Sequence, residues 1–285
     1  MRCLPLRQAD EEASFGGKAK ALGEALRAGL EVPDGVALDV ECVAAIAGAG
    51  LEGGPGGISS WPRGGAEGLV AGILAELASI GCEGPVAVRS SAVGEDSGGT
   101  SFAGQHLTRL NVIGAAGLLR AIRDVHASGG AGSALAYRER LGVKGGPKVA
   151  VVVQRMIFPE VAGVLFTRNP VTGEDERVVE ASWGLGEAVV SGLVTPDRWR
   201  MSRDGRVSEA SLGEKDIEVV PDGGGTAERE VEAVRAGLFC LDLPQLQALS
   251  RLAGLCEEFF AGPSDIEFGF EKGRLHLLQR RPITR

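Results

Sequence analysis

Four groups of residues have types and spacing that could do chemistry, and all suit a ligand with several negative charges. Gly16-Gly17-Lys18 sets two glycines and a cation at the start of a helical stretch. Backbone N–H groups and the helix dipole favour phosphate at such a place. It is not a P-loop, because Glu12 stands where that motif needs glycine and Ala19 where it needs Ser or Thr. Arg89 ends an apolar strand over residues 85–89, where a guanidinium is costly unless it meets an anion. The polar stretch after it, with Ser90, Ser91, Ser101, Gly104 and Gln105, offers hydroxyls and glycine N–H groups, the parts of a phosphate cradle. Plainer readings stand beside these: an ordinary helix start with an exposed lysine, and an arginine paired with Glu95 or Asp96.

The last hairpin is the most informative. Alternation along Asp265-Ile266-Glu267-Phe268-Gly269-Phe270 puts both carboxylates on one face and the apolar side chains on the other. Gln279 and Arg281 share a face of the return strand. A two-residue loop at Lys272-Gly273 would pair Glu267 with Leu278 and separate it from Gln279. A three-residue loop, Glu271-Lys272-Gly273, pairs Asp265 with Gln279 and Glu267 with Leu277, and gathers Asp265, Glu267, Gln279 and Arg281 on one side. The three-residue loop is the expectation if Glu267 and Gln279 share an ion. Oxygen ligands beside a guanidinium suit a magnesium–polyphosphate; a solvated, salt-bridged face is the alternative.

Other chemistries find little support. His106, His126 and His276 have no Cys or His neighbour at metal spacing, and no nucleophile–histidine arrangement can be argued. Gly184-Leu185-Gly186-Glu187-Ala188-Val189 fails the dinucleotide fingerprint, since Val189 replaces its third glycine. The five cysteines are scattered, and with no visible signal peptide they read as reduced cytoplasmic thiols. A net charge of −8 argues against general nucleic-acid binding. No apolar stretch approaches the ~20 residues of a membrane helix.

These residues need elements to position them. Apolar stripes predict helices over residues 18–28, 66–79, 114–127, 131–141 and 244–260. Strands are expected over 36–40, 85–89, 105–112, 148–154, 161–167, 177–181, 198–201, 207–212, 265–270 and 275–281. Residues 48–65, rich in Gly, Pro and Ser, read as a surface loop. Long helices mixed with hairpin-linked strands give an α+β or mixed α/β fold with two lobes. The lobes are expected over residues 1–153, with the phosphate-binding loops, and 154–285, with the metal-binding hairpin.

The order of the motifs carries a resemblance. FGGKAKALGEALRAGLEVPDG, VAVRSSAVGED with SFAGQ, VVVQRM, AGVLFTRNPVTG, VEASWGLGEAVVSGLVTPD and GPSDIEFGF with LLQRRPIT follow one another as in one family. The chain resembles the N-terminal nucleotide-binding region of phosphoenolpyruvate synthase and pyruvate, phosphate dikinase, also found in rifampicin phosphotransferases. The resemblance implies an ATP-grasp-like fold with ATP and magnesium between two lobes. By it, Lys18 and Arg89 are phosphate-binding cations, and Ser101, Gly104 and Gln105 belong to the glycine loop over the phosphates. Gln154 and Met156 line the adenine pocket. Glu267 and Gln279 bind the metal, with Asp265 as companion carboxylate and Arg281 as the terminal phosphate-binding arginine. In the family a histidine on a swivelling domain attacks the β-phosphate of ATP. AMP and a phosphorylated histidine result, the γ-phosphate goes to water, to phosphate or to neither first depending on the member, and the phosphoryl group is then handed to a small acceptor.

None of the three histidines here has the setting of that carrier histidine, and the sequence ends four residues after Arg281. The leading expectation is the ATP-binding subunit of a split phosphotransferase whose partner chain supplies the histidine, in the cytoplasm. A non-enzymatic nucleotide sensor or scaffold, and a truncated remnant, are the competing readings.

Overall fold

The computed structural model describes residues 1–48, 65–93, 107–129 and 148–283. It is a mixed α+β structure in two compact units. The first comprises Met1–Arg27, Pro33–Met156 and Gly223–Gly225; the second comprises Ala28–Val32, Ile157–Asp222 and Thr226–Arg285. The 153/154 boundary of the sequence reading falls inside a strand, and Ala28–Val32 groups with the second unit.

The first unit is built on an antiparallel five-stranded sheet. Its strands are β1 (Cys3–Pro5), β2 (Gly35–Leu38), β3 (Val86–Ala92), β4 (Thr108–Val112) and β5 (Val149–Arg155), in the order β1-β2-β5-β3-β4. Alternation sorts its faces. Val36, Leu38, Val86, Val88, Val151 and Val153 form a core with α2 (Val40–Ala47), α3 (Gly65–Ser79) and α4 (Gly114–Ser128). The other face of β3 and β5 packs against α1 (Glu12–Arg27).

Helix α2 is absent from the sequence reading, which runs a strand through Val40. The run from Val36 to Ala47 is apolar enough for either period. Asp39 decides the break: its side chain accepts from the Cys42 amide at 2.8 Å and caps a helix starting at Val40.

The second unit holds an antiparallel six-stranded sheet. Its strands are β6 (Val161–Phe166), β7 (Arg177–Trp183), β8 (Asp197–Met201), β9 (Val207–Ser211), β12 (Ser264–Glu271) and β13 (Arg274–Pro282), in the order β13-β12-β6-β7-β8-β9. Between β9 and β12 in the chain lie the ribbon β10 (Ile217–Asp222) and β11 (Gly225–Glu230), for which the sequence carries no signal because β11 has no apolar alternation. Two short helices, α5 (Glu187–Val190) and α6 (Ala233–Ala236), precede the long α7 (Leu243–Phe260). Asp242 and Gln245 form a capping box at the start of α7, which lies against β6, β12 and β13. Ile266, Phe268, Phe270 and Leu277 are all but fully buried on that covered face.

Candidate functional site

In the first unit both predicted cations lie at β3: Arg89 is its fourth residue, since the strand runs on to Ala92 instead of ending at residue 89, and Lys18 reaches Ser90 from α1. α1 is two helical pieces joined at Gly16, whose φ of 78° and ψ of 167° break the helix. The second piece therefore opens at Gly17-Lys18, the placement expected for the glycine pair. Only glycine fits at the kink: a Cβ on Gly16 would lie 2.0 Å from the Ser91 carbonyl oxygen. Ser91 fastens the junction, accepting from the Ala19 amide at 3.0 Å and donating to the Phe15 carbonyl at 2.7 Å.

Lys18 is 4% exposed, and its ammonium donates to the Ser90 carbonyl at 2.9 Å. That burial rules out the reading of an exposed lysine at an ordinary helix start. Arg89 is 8% exposed on the β3 face that carries Ser91 toward α1. Lys18 is thus held against the strand residue next to Arg89. Ser101, Gly104 and Gln105, with Glu95 and Asp96, lie outside the described residues.

Gln154 and Met156 are buried. The Gln154 side-chain amide donates to the Pro33 carbonyl at 2.7 Å, and the Met156 amide donates to the Pro85 carbonyl at 3.1 Å. Their polar groups therefore fix the end of β5.

In the second unit the hairpin corrects the sequence reading of its turn. Glu271 pairs with Arg274, so the loop has two residues, Lys272 and Gly273, not three. Both have positive φ, 51° and 75°, the geometry of a turn that matches strand twist. Left regular, this register would turn Gln279 away from Glu267. A β-bulge intervenes: Phe268 pairs with Leu277 and Glu267 pairs with Gln279, leaving Leu278 as the extra residue. Asp265 then pairs with Arg281. The four polar residues share one face after all, by a device absent from both alternatives of the sequence reading. No local signal announces it; the trace is that β13 has nine residues against eight in β12.

Gln279 is 3% exposed, while Asp265, Glu267 and Arg281 are half-buried. On the opposite face Arg280 stacks on the Phe260 ring at 4.4 Å and donates to the Ser264 hydroxyl at 2.9 Å.

A carboxylate opposite an amide carbonyl is a pair of hard oxygen donors, and a second carboxylate lies one pair along. This donor set fits magnesium, which takes one or two protein oxygens and leaves its other positions to water and phosphate. Among the described residues no group of three or more His, Cys, Asp and Glu side chains could hold a metal alone. An ion at Glu267 and Gln279 would thus complete its shell from its ligand.

A sequence profile described as pyruvate phosphate dikinase, AMP/ATP-binding domain, matches residues 66–285. The chain belongs to this family. The profile covers Arg89 and the whole hairpin, and Lys18 lies ahead of it. The AMP/ATP-binding domain here is 42% identical over 219 residues to a rifampicin phosphotransferase of Streptomyces sviceus, covering 76% of this chain and 25% of that protein. It is 41% identical over 201 residues to a probable phosphoenolpyruvate synthase of Methanothermobacter thermautotrophicus, covering 70% and 29%. An uncharacterized phosphotransferase of Bacillus subtilis, YvkC, is 39% identical over 201 residues, covering 70% and 24%. The chain thus spans about a quarter of the length of these curated relatives. No helix among the described residues is long and apolar enough to cross a membrane.

Proposed function

We propose that this AMP/ATP-binding domain is the ATP-grasp-like, ATP-binding part of a phosphotransferase of the phosphoenolpyruvate synthase type, acting in the cytoplasm. It binds ATP with Mg²⁺ and presents the β-phosphoryl group to a histidine on a swivelling domain outside these 285 residues, in our reading a partner chain. AMP leaves, the γ-phosphate passes to water or inorganic phosphate, and the phosphohistidine serves a small acceptor. The observation that carries this reading is the hairpin face, where a register slip sets Glu267 opposite Gln279 and Asp265 opposite Arg281.

In this reading Glu267 and Gln279 hold the ion, with Asp265 beside them, and Lys18, Arg89 and Arg281 engage phosphate oxygens. Magnesium, when bound, neutralises charge on the transferring group. Phosphoryl transfer asks the protein mainly for positioning and charge stabilisation, and a buried lysine and arginine supply both. Ser101, Gly104 and Gln105 would contribute to binding the phosphates, and Gln154 and Met156 would border the base.

Calorimetric titration of ATP with Mg²⁺ and with chelator tests the binding half; equal affinity in both removes the metal assignment. Incubation with a chain carrying the histidine domain tests the transfer half. AMP and phosphohistidine are expected; ADP as the product would overturn the β-phosphoryl assignment. ATP binding without any transfer would leave a nucleotide sensor.

A further inference from the structure

The bulge that aligns the hairpin face lies at the sheet's edge, and a separate piece of chain is fastened beside it. β13 is the outermost strand, so alternate N–H groups point away from β12. One of them is taken: the Leu277 amide donates to the Glu31 carbonyl at 2.8 Å. The Glu31 carboxylate also reaches Arg274 Nη2 at 3.2 Å from each oxygen. Glu31 belongs to the strap Ala28–Val32, which groups with this unit. The strap is shaped by a tight turn, with the Val32 amide donating to the Leu30 carbonyl at 2.9 Å, and Val32 is buried.

The place of this bond matters. Leu277 is the last residue paired in regular register from the turn, and the slip begins at Leu278. Without the slip, Glu267 would face Leu278, and Gln279 would share the covered face with Ile266. Arg280, on Phe260 and Ser264, ties the strand beyond the slip. The strap ties it before the slip, from outside the hairpin.

We propose that Glu31 is a positioning residue: through Leu277 the strap fixes where β13 slips, and so holds Gln279 opposite Glu267. The register part stands on its own geometry; its consequence for ligand binding rests on the function proposed above.

The test loosens the strap and then removes the need for it. Replacing Leu30, Glu31 and Val32 by glycine is expected to speed Leu277 amide exchange by about tenfold or more. It should also weaken the Glu267–Gln279 cross-strand contact seen by NMR and lower Mg²⁺-dependent ATP affinity by about tenfold. Deleting Leu278 makes the Glu267–Gln279 pairing regular. In that background the same glycine replacement should leave pairing and affinity within about twofold. This rescue separates positioning from general loosening of the unit.

An unchanged cross-strand contact in a strap variant whose Leu277 amide is freed would overturn the proposal. So would equal losses of affinity with and without Leu278. Should the triple variant fail to fold, Glu31→Lys, which faces Arg274 with like charge, gives the same exchange and contact readouts. If the parent chain shows no Mg²⁺-dependent ATP binding, the functional reading fails while the register readouts still decide the role of Glu31.

Discussion

Lys18 and Arg89 are nearly buried cations at β3, and the function proposed above has both engage phosphate. Lys18→Ala and Arg89→Ala are each expected to weaken ATP binding by tenfold or more, since a hydrogen bond to a charged group contributes about 1.5–3 kcal/mol. AMP binding should suffer less, and equal losses for the two nucleotides would count against the phosphate assignment. The cysteines make a different residue-level claim. Burial pushes the Cys42 and Cys256 thiols up to about 12 and raises those of Cys3, Cys82 and Cys240 as well. Because the thiolate is the reactive form, the folded protein should react far more slowly with a thiol reagent at mildly alkaline pH than the chain in guanidinium. The sign for stability follows. The raised thiols favour the folded state fully below the ordinary thiol pKa of about 8.5, and that contribution is lost as pH rises from there toward the folded values. Chemical denaturation across this range should show stability falling; a flat profile would contradict the burial of the thiols.

Among the elements, the β12–β13 hairpin carries the sharpest expectations. Its two turn residues are both left-handed, and Lys272 adopts that conformation against the preference of a residue with a Cβ. Lys272→Asn should stabilise the protein by about 0.5–1 kcal/mol, because Asn tolerates positive φ better. Gly273→Val should cost about 1–2 kcal/mol for the same reason. Both are measurable by denaturant unfolding, and opposite signs would mean that the turn is not of this type. ATP affinity should change little in Gly273→Val, since Ile266, Phe268 and Phe270 anchor the covered face and the slip lies farther along the strands. The two faces of this hairpin were legible in the alternation of Asp265 to Phe270; the slip was not. A bulge leaves no local preference in Leu277-Leu278-Gln279, and it exists because Phe268, Leu277 and Arg280 all find partners on the covered side. Helix α2 was missed for a related reason. Its apolar run fits two periods, and a single capping side chain, Asp39, chooses between them.

For the whole molecule, the second unit depends on one buried ion pair. Asp197 and Lys215 have no exposed side-chain surface and bond directly to each other. Asp197 also accepts from the amides of Gly213 and Cys240, each at 2.8 Å. One carboxylate therefore joins the start of β8, the segment before β10 and the approach to α7. Asp197→Asn should destabilise by about 3–5 kcal/mol, because it leaves the Lys215 charge buried without its counter-charge. Loss of stability below about 1 kcal/mol in denaturant unfolding would show that water reaches the pair. Double replacement of both residues by apolar ones of similar size should cost less than the single change.

What the sequence by itself determined follows from short-range rules. Strand alternation assigned the faces of β12, apolar stripes placed α3, α4 and α7, and the glycine pair marked a helix opening at Lys18. The order of the motifs identified the family. Tertiary structure decided the rest, because the deciding contacts join residues far apart in the chain. Lys18 is buried because Ser90 and Ser91 lie against α1. Ala28–Val32 groups with the second unit because Glu31 meets the edge of β13. Gln279 faces Glu267 because packing on α7 and the strap together outweigh the regular register that the two-residue turn would impose.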